Sequence, residues 1–201
     1  MTDTRAYHHG DLPRALLAAA VEAIEEVGPA ALSLRDLARR AGVSHAAPAH
    51  HFGDKAGLLT ALAAQGFDLL AQTLTEVADD LLEAGVAYVD FAVTHRAYFE
   101  VMFRPELYRA DDAELIAARG RAGAALRSGV AALPTGGAPA DTDRDALAAW
   151  SIAHGFATLW LSGALPDRVG ENPREAARAV LRRPTPPHPH PTPTLTRPEP
   201  P

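Results

Sequence analysis

SLRDLARRAGVSHAAPAHHFGDK, residues 33–55, decides how the chain is read. Leu34, Leu37 and Ala38 recur at helical spacing behind Ser33, whose hydroxyl suits a helix start, and Asp36 stands where a capping box needs an acid. Gly42 supplies backbone freedom for a tight turn. Ser44 is placed to cap a third, very short helix that stops near Phe52 and Gly53, and Asp54 opens a much longer fourth. Pro48 has no N–H and disfavours helical geometry at Ala47, which predicts a short or distorted third helix.

Two helices joined by a short glycine-containing turn form a helix-turn-helix, whose second helix can enter the major groove of DNA. Such a helix needs a small outer face for close approach and flanking donors for phosphate oxygens. His45, Ala46, Ala47, Ala49 and His50 meet the first demand. Ser33, Ser44, His51 and Lys55 meet the second, aided by the positive ends of nearby helices. Arg35, Arg39, Arg40 and Lys55 outnumber Asp36 and Asp54 here, so the segment is mildly basic.

The whole chain is acidic, with 201 residues, 19 Lys plus Arg, 25 Asp plus Glu and a formal charge of −6. It therefore has no general attraction to polyanions, and contact with double-stranded DNA must be local. Absence of cysteine excludes disulfides, thiolate metal sites and cysteine nucleophiles, and fits a reducing compartment. The N-terminus lacks the order of a secretion signal and no apolar run reaches a membrane span, so a cytoplasmic protein with no membrane partner is expected.

Alanine, leucine and arginine dominate and β-branched alternation is almost absent, which predicts an all-α fold. A first helix starts around Leu12 and Pro13, stops at Gly28 and Pro29, and turns Leu16, Leu17, Ala20, Ile24 and Val27 to the core. In the fourth, Leu58, Leu62, Leu69, Thr73, Val77 and Leu81 share helical spacing, so it joins an N-terminal module to the rest like a lever. Further helices are expected over about 86–103, 111–133, 143–165 and 173–183. The expected domains are an N-terminal arm (1–9), a helix-turn-helix module (10–57, motif about 33–52), a helical regulatory and dimerisation domain (58–183) and an extended proline-rich tail (184–201).

His95, Tyr98, Phe99, Met102 and Phe103 lie at helical spacings and can either line a pocket or pack a core. In 143–165, Leu147, Trp150, His154 and Leu161 make one stripe while Ile152, Phe156, Leu159 and Trp160 occupy other faces. A helix apolar nearly all round must be buried nearly all round. One face covers its own core and the other meets a twin subunit, with Gly155 and Gly163 allowing close approach. His154 has two readings, a structural hydrogen bond or a ligand contact. Enzymatic function is not expected: no glycine-rich loop follows a strand and no Ser-His-Asp arrangement is apparent. Adjacent His50 and His51 lack a third ligand at suitable spacing, so neither a metal nor another cofactor is called for.

The chain resembles the TetR family of bacterial one-component transcription regulators over about 10–70, through EEVG, SLRDLARRAGVS and HHFGDKAGLL. Gly42, Val43, Ser44, His51, Phe52, Lys55, Leu58 and Leu59 sit where that family's pattern expects them, and YHHGDL is typical of one branch. Trp150, His154 and Gly155 resemble the Trp-His-Gly (WHG) signature of a TetR regulatory-domain class. The resemblance implies a homodimer that binds a near-palindromic operator, usually as a repressor released by a small-molecule effector in the C-terminal domain. It implies that His45, Ala46 and His50 approach bases, that Ser33, Ser44, His51 and Lys55 anchor phosphates, and that Phe52 packs in the module core. Ala49 stands where the family commonly has an aromatic residue touching phosphate, so that anchor is missing. The competing reading is an interaction or small-molecule-binding protein of the same fold with little DNA binding.

Overall fold

The computed structural model describes residues 12–131 and 141–182, and among these all regular structure is helical. The arm at 1–9 and the tail at 184–201 lie outside the described residues, as does most of the loop before residue 143. The first helix, α1, spans Leu12–Ala31 and breaks at Gly28, whose φ of 75° is left-handed. The stop expected at Gly28 and Pro29 is therefore a sharp kink followed by one further turn. Leu16, Ala20 and Ile24 are buried, whereas Val27, assigned to the same face, is 52% exposed.

Helices α2 (Leu34–Arg40) and α3 (Ala47–Phe52) pack beside α1, and α4 (Lys55–Thr75) runs from this module into the rest of the molecule. Val77 and Leu81 do not continue α4 as their spacing had implied. The helix stops at Thr75, and Asp80 caps α5 (Leu81–Thr94) by accepting the amides of Leu82 at 2.9 Å and Glu83 at 3.1 Å. Aspartate offers the backbone a local alternative to helix, and here it outweighs an apolar period that carries on across the break. The segment expected at 86–103 is likewise two helices, divided at His95 (φ −117°, ψ 44°), with α6 at Arg96–Met102. A single 3₁₀ turn at Pro105–Leu107 leads to α7 (Ala113–Ala131), then α8 (Thr142–Leu161), a second 3₁₀ turn at Asp167–Val169 and α9 (Pro173–Leu181).

One apolar core runs through the described molecule. Leu16, Leu37, Leu58, Leu59 and Leu62 close the N-terminal part, and Val86, Val89, Phe91, Val101, Met102 and Leu115 continue it. Helix α4 is the spine, touching α1, α3, α5, α6 and α7, while α1 also packs on α6. The N-terminal module thus rests on the C-terminal helices instead of hanging from a linker. In α8 the core side carries Ala146, Ala153, Phe156 and Ala157; Leu147, which shares a helical stripe with Trp150, His154 and Leu161, is 57% exposed. The opposite stripe is Ala148, Ile152, Gly155 and Leu159, with Ile152 and Leu159 both exposed.

Candidate nucleic-acid interface

The corner between α2 and α3 is a Schellman turn. Gly42, at φ 65°, donates its N–H to the carbonyl of Arg39 at 3.2 Å, and the Val43 N–H reaches back to Ala38 at 3.0 Å while its side chain packs against the core. Ser44 does not cap α3. Were it the cap, its carbonyl would take the first helical bond from the N–H of residue 48, and Pro48 has none. The Ser44 carbonyl instead accepts Ala47 N–H at 3.0 Å in a turn, and the helical ladder begins with His50 N–H to Ala46 at 2.9 Å. His45 and Ala46 consequently precede the helix, which has only six residues. Pro48 falls in its first turn, where a missing N–H costs little, and is itself buried.

That burial orients everything else. Ser44, His45, Ala46, Ala49, His50 and His51 are all exposed, and Phe52 packs inward. His50 and His51 meet edge to face, ring centroids 5.4 Å apart. The close of α3 is held by Gly53, at φ 79°, and by Asp54, whose carboxylate accepts the Gly57 N–H at 2.8 Å to cap α4. That bond, with the Arg109 guanidinium nearby, holds the Asp54 carboxyl below its ordinary value. At Gly57 a Cβ would lie 1.9 Å from the Phe52 carbonyl oxygen, so the end of α3 abuts the start of α4 at a distance only glycine permits.

Ser33 has the extended backbone of an N-cap, but its exposed hydroxyl makes no capping bond. Asp36 does not complete a capping box either: it pairs with Arg39 at 2.6 Å and Arg40 at 2.7 Å, and Arg40 also binds Glu26 of α1 at 2.7 Å. Hydrogen bonding from Arg40 lowers both carboxyls. Two of the four cations counted in this stretch are therefore committed to bracing α2. Lys55 donates its ammonium to the Ala30 carbonyl at 2.6 Å, tying α4 to the end of α1. Arg35 is exposed and makes no side-chain bond among the described residues. Sequence reasoning counted it without singling it out, although no acid lies three or four positions to either side.

The aromatic residues expected in an effector site divide into two groups. His154 is surrounded by Phe99, Phe103, Trp150 and Tyr88, with ring centroids 5.2, 4.6, 5.5 and 6.2 Å away. Trp150 Nε1 donates to the Tyr88 hydroxyl at 3.1 Å, and that hydroxyl lies 2.8 Å from His154 Nδ1. Burial raises the Tyr88 hydroxyl well above its ordinary value and lowers His154, so tyrosine donates and a neutral imidazole accepts, with its proton on Nε2. Tyr88 carried no signal in sequence because it lies far along the chain from both partners. His95 and Tyr98 form a separate contact, 6.2 Å between centroids, and His95 also lies 5.0 Å from Phe91. Met102 is a packing residue, fully buried where a Cβ on Gly66 would come within 2.6 Å of its sulfur.

Comparison with known proteins agrees with this architecture. The profile described as "Bacterial regulatory proteins, tetR family" matches residues 16–62, and that of "Tetracyclin repressor-like, C-terminal domain" matches 81–183. A solved structure from Rhodococcus sp. RHA1, of a protein with unknown function, is 36% identical over 88% of this chain and 95% of its own, with a TM-score of 0.74. The TetR family transcriptional regulator PfmR from Thermus thermophilus is 26% identical over 83% of this chain and 94% of its own, with a TM-score of 0.57. No curated protein matches the sequence. A helix-turn-helix in the matched N-terminal region and a helical domain in the matched C-terminal region lead to one conclusion: the chain belongs to the TetR family of DNA-binding transcriptional regulators and is not an enzyme.

Proposed function

We propose that the chain is a homodimeric, ligand-responsive repressor that binds a near-palindromic operator. The observation that carries this reading is the outward set His45, Ala46, Ala49 and His50, fixed over a core that buries Pro48 and flanked by His51 and Lys55. His45, Ala46 and His50 approach bases in the major groove; Ser33, Ser44, His51 and Lys55 meet phosphates, and Arg35 adds one contact that sequence reasoning did not name. Ala49 leaves room at the groove floor. Lys55 exchanges the Ala30 carbonyl for phosphate oxygen on binding.

The apolar stripe Ala148, Ile152, Gly155 and Leu159 of α8, with exposed Val180 on α9, supports self-association, and a Cβ on Gly155 would meet nothing within one chain. A small effector in the C-terminal domain acts near His95, Tyr98, Phe99, Met102, Trp150 and His154; the Trp150–Tyr88–His154 relay supports placing this domain in the Trp-His-Gly class. We divide the molecule functionally at about residue 57, where α4 leaves the DNA-reading module. A cytoplasmic setting accords with this role, and no described helix is long and apolar enough to cross a membrane.

Selection of bound duplexes from random sequence tests the reading: enrichment of a palindrome is expected. Lys55→Ala then weakens binding to all duplexes and lowers the salt slope by about 1, whereas His45→Ala changes base preference. Failure to enrich any duplex favours a DNA-blind interaction protein of the same fold.

A further inference from the structure

We propose that Arg109, in the turn after α6, is a positioning residue for the recognition helix, clasping the α3–α4 junction from the regulatory side. The inference rests on the DNA-binding reading above, and it begins from a buried polar group. Thr60 on α4 is 5% exposed; its hydroxyl donates to the Ala56 carbonyl at 2.7 Å and accepts the Arg109 N–H at 3.0 Å. That bond fixes the Arg109 backbone against the second turn of α4. From there the guanidinium reaches Asp54 Oδ2 at 3.0 Å, while Asp54 Oδ1 holds the Gly57 amide at 2.8 Å. A Cβ at Gly57 would be 3.2 Å from the same guanidinium, and one at Gly53 would be 3.8 Å from it. Arg109 therefore sits over both Gly53, where α3 ends, and Gly57, in the first turn of α4.

The other end of the clasp is anchored in the regulatory core. Tyr108, adjacent to Arg109, is buried and donates its hydroxyl to the Met102 carbonyl at the end of α6 at 2.9 Å. Helix α6 also carries Phe99, in contact with His154. A displacement of α6 reaches Arg109 through one short, hydrogen-bonded turn, and reaches the recognition helix through Asp54 and Gly57. The Arg109–Asp54 pair is half-exposed on both sides, so it contributes little to global stability. Its effect is on orientation.

The test uses the full-length protein, a duplex recovered by selection, and the variants Arg109→Ala, Asp54→Asn and their double. Asparagine caps a helix as well as aspartate does, so Asp54→Asn removes the charge partner and keeps the cap. Each single variant is expected to weaken duplex binding roughly tenfold, within the range of coupling between linked sites. The double variant should be no weaker than either single, with thermal midpoint and salt slope unchanged. Wild-type affinity in Arg109→Ala, or losses that add in the double variant, overturns the proposal. A salt slope lowered by about 1 in Arg109→Ala overturns it too, because Arg109 would then be a phosphate contact. Hydrogen exchange keeps the two readings separable if no duplex is recovered: faster amide exchange over 47–57 in Arg109→Ala supports the clasp, and unchanged exchange there refutes it.

Discussion

At the scale of single residues, two groups have consequences out of proportion to their size. Gly57 is needed for space and not for backbone conformation, because the atom a Cβ would strike is the Phe52 carbonyl oxygen, which cannot rotate away. Gly57→Ala should destabilise the fold by about 1–3 kcal/mol in urea unfolding, as overpacking does. Gly42→Ala, which meets no atom but must hold φ at 65°, should cost nearer 1 kcal/mol. His154 makes a different prediction. Burial lowers it from an ordinary 6.5, so on acidification the unfolded chain takes up a proton that the folded chain resists. Stability must then fall as pH drops below 6.5, before the paired carboxylates such as Glu83, ordinarily at 4.5 and lowered by Arg178, begin to contribute below that pH. His154→Gln should flatten the unfolding free energy between those limits; an unaltered slope would contradict the buried neutral imidazole.

At the scale of elements, periodicity located helices well and located their ends poorly. Leu16, Ala20 and Ile24 in α1, and Leu58 and Leu62 in α4, are buried as their spacing demanded. The run Leu69, Thr73, Val77 and Leu81 misled, because an apolar period is blind to a break that re-enters in phase; Asp80 was the signal, as it directly precedes the new helix. In the candidate interface, the exposed small face was legible from composition. The start of α3 was legible only by asking which amide would serve the Ser44 carbonyl. Arg39 and Arg40 added to the basic charge counted in this segment, but Asp36 and Glu26 hold them in ion pairs. Capping gives a direct comparison. Asp80 accepts two amides, so Asp80→Ala should cost about 1 kcal/mol of stability, whereas Ser33→Ala, which removes no capping bond, should cost no more than a few tenths. Equal losses in denaturant melts would show that the Ser33 hydroxyl caps α2 in solution.

At the scale of the whole molecule, the operator reading requires two recognition helices about 34 Å apart, one turn of duplex, which a single chain cannot supply. The α8 stripe is the surface proposed to join such a pair, and it can be separated experimentally from exposed apolar residues elsewhere. Ile152 is 58% exposed and Leu159 46% on α8, while Val27 is 52% exposed on α1 in the DNA-reading module. Placing a carboxylate on a desolvated interface leaves an unpaired charge there, whereas at an exposed helix position it meets only water. Ile152→Glu and Leu159→Glu should each weaken self-association by roughly thirtyfold to a thousandfold, the effect of losing a central anchor worth ~2–4 kcal/mol. Binding to a palindromic duplex should fall with it, and binding to an isolated half-site should persist at the weak level of one module. Val27→Glu should leave the sedimentation profile dimeric. If Val27→Glu dissociates the protein and the α8 variants do not, the twin subunit docks against the DNA-reading module, and the two recognition helices lose the spacing on which operator binding depends.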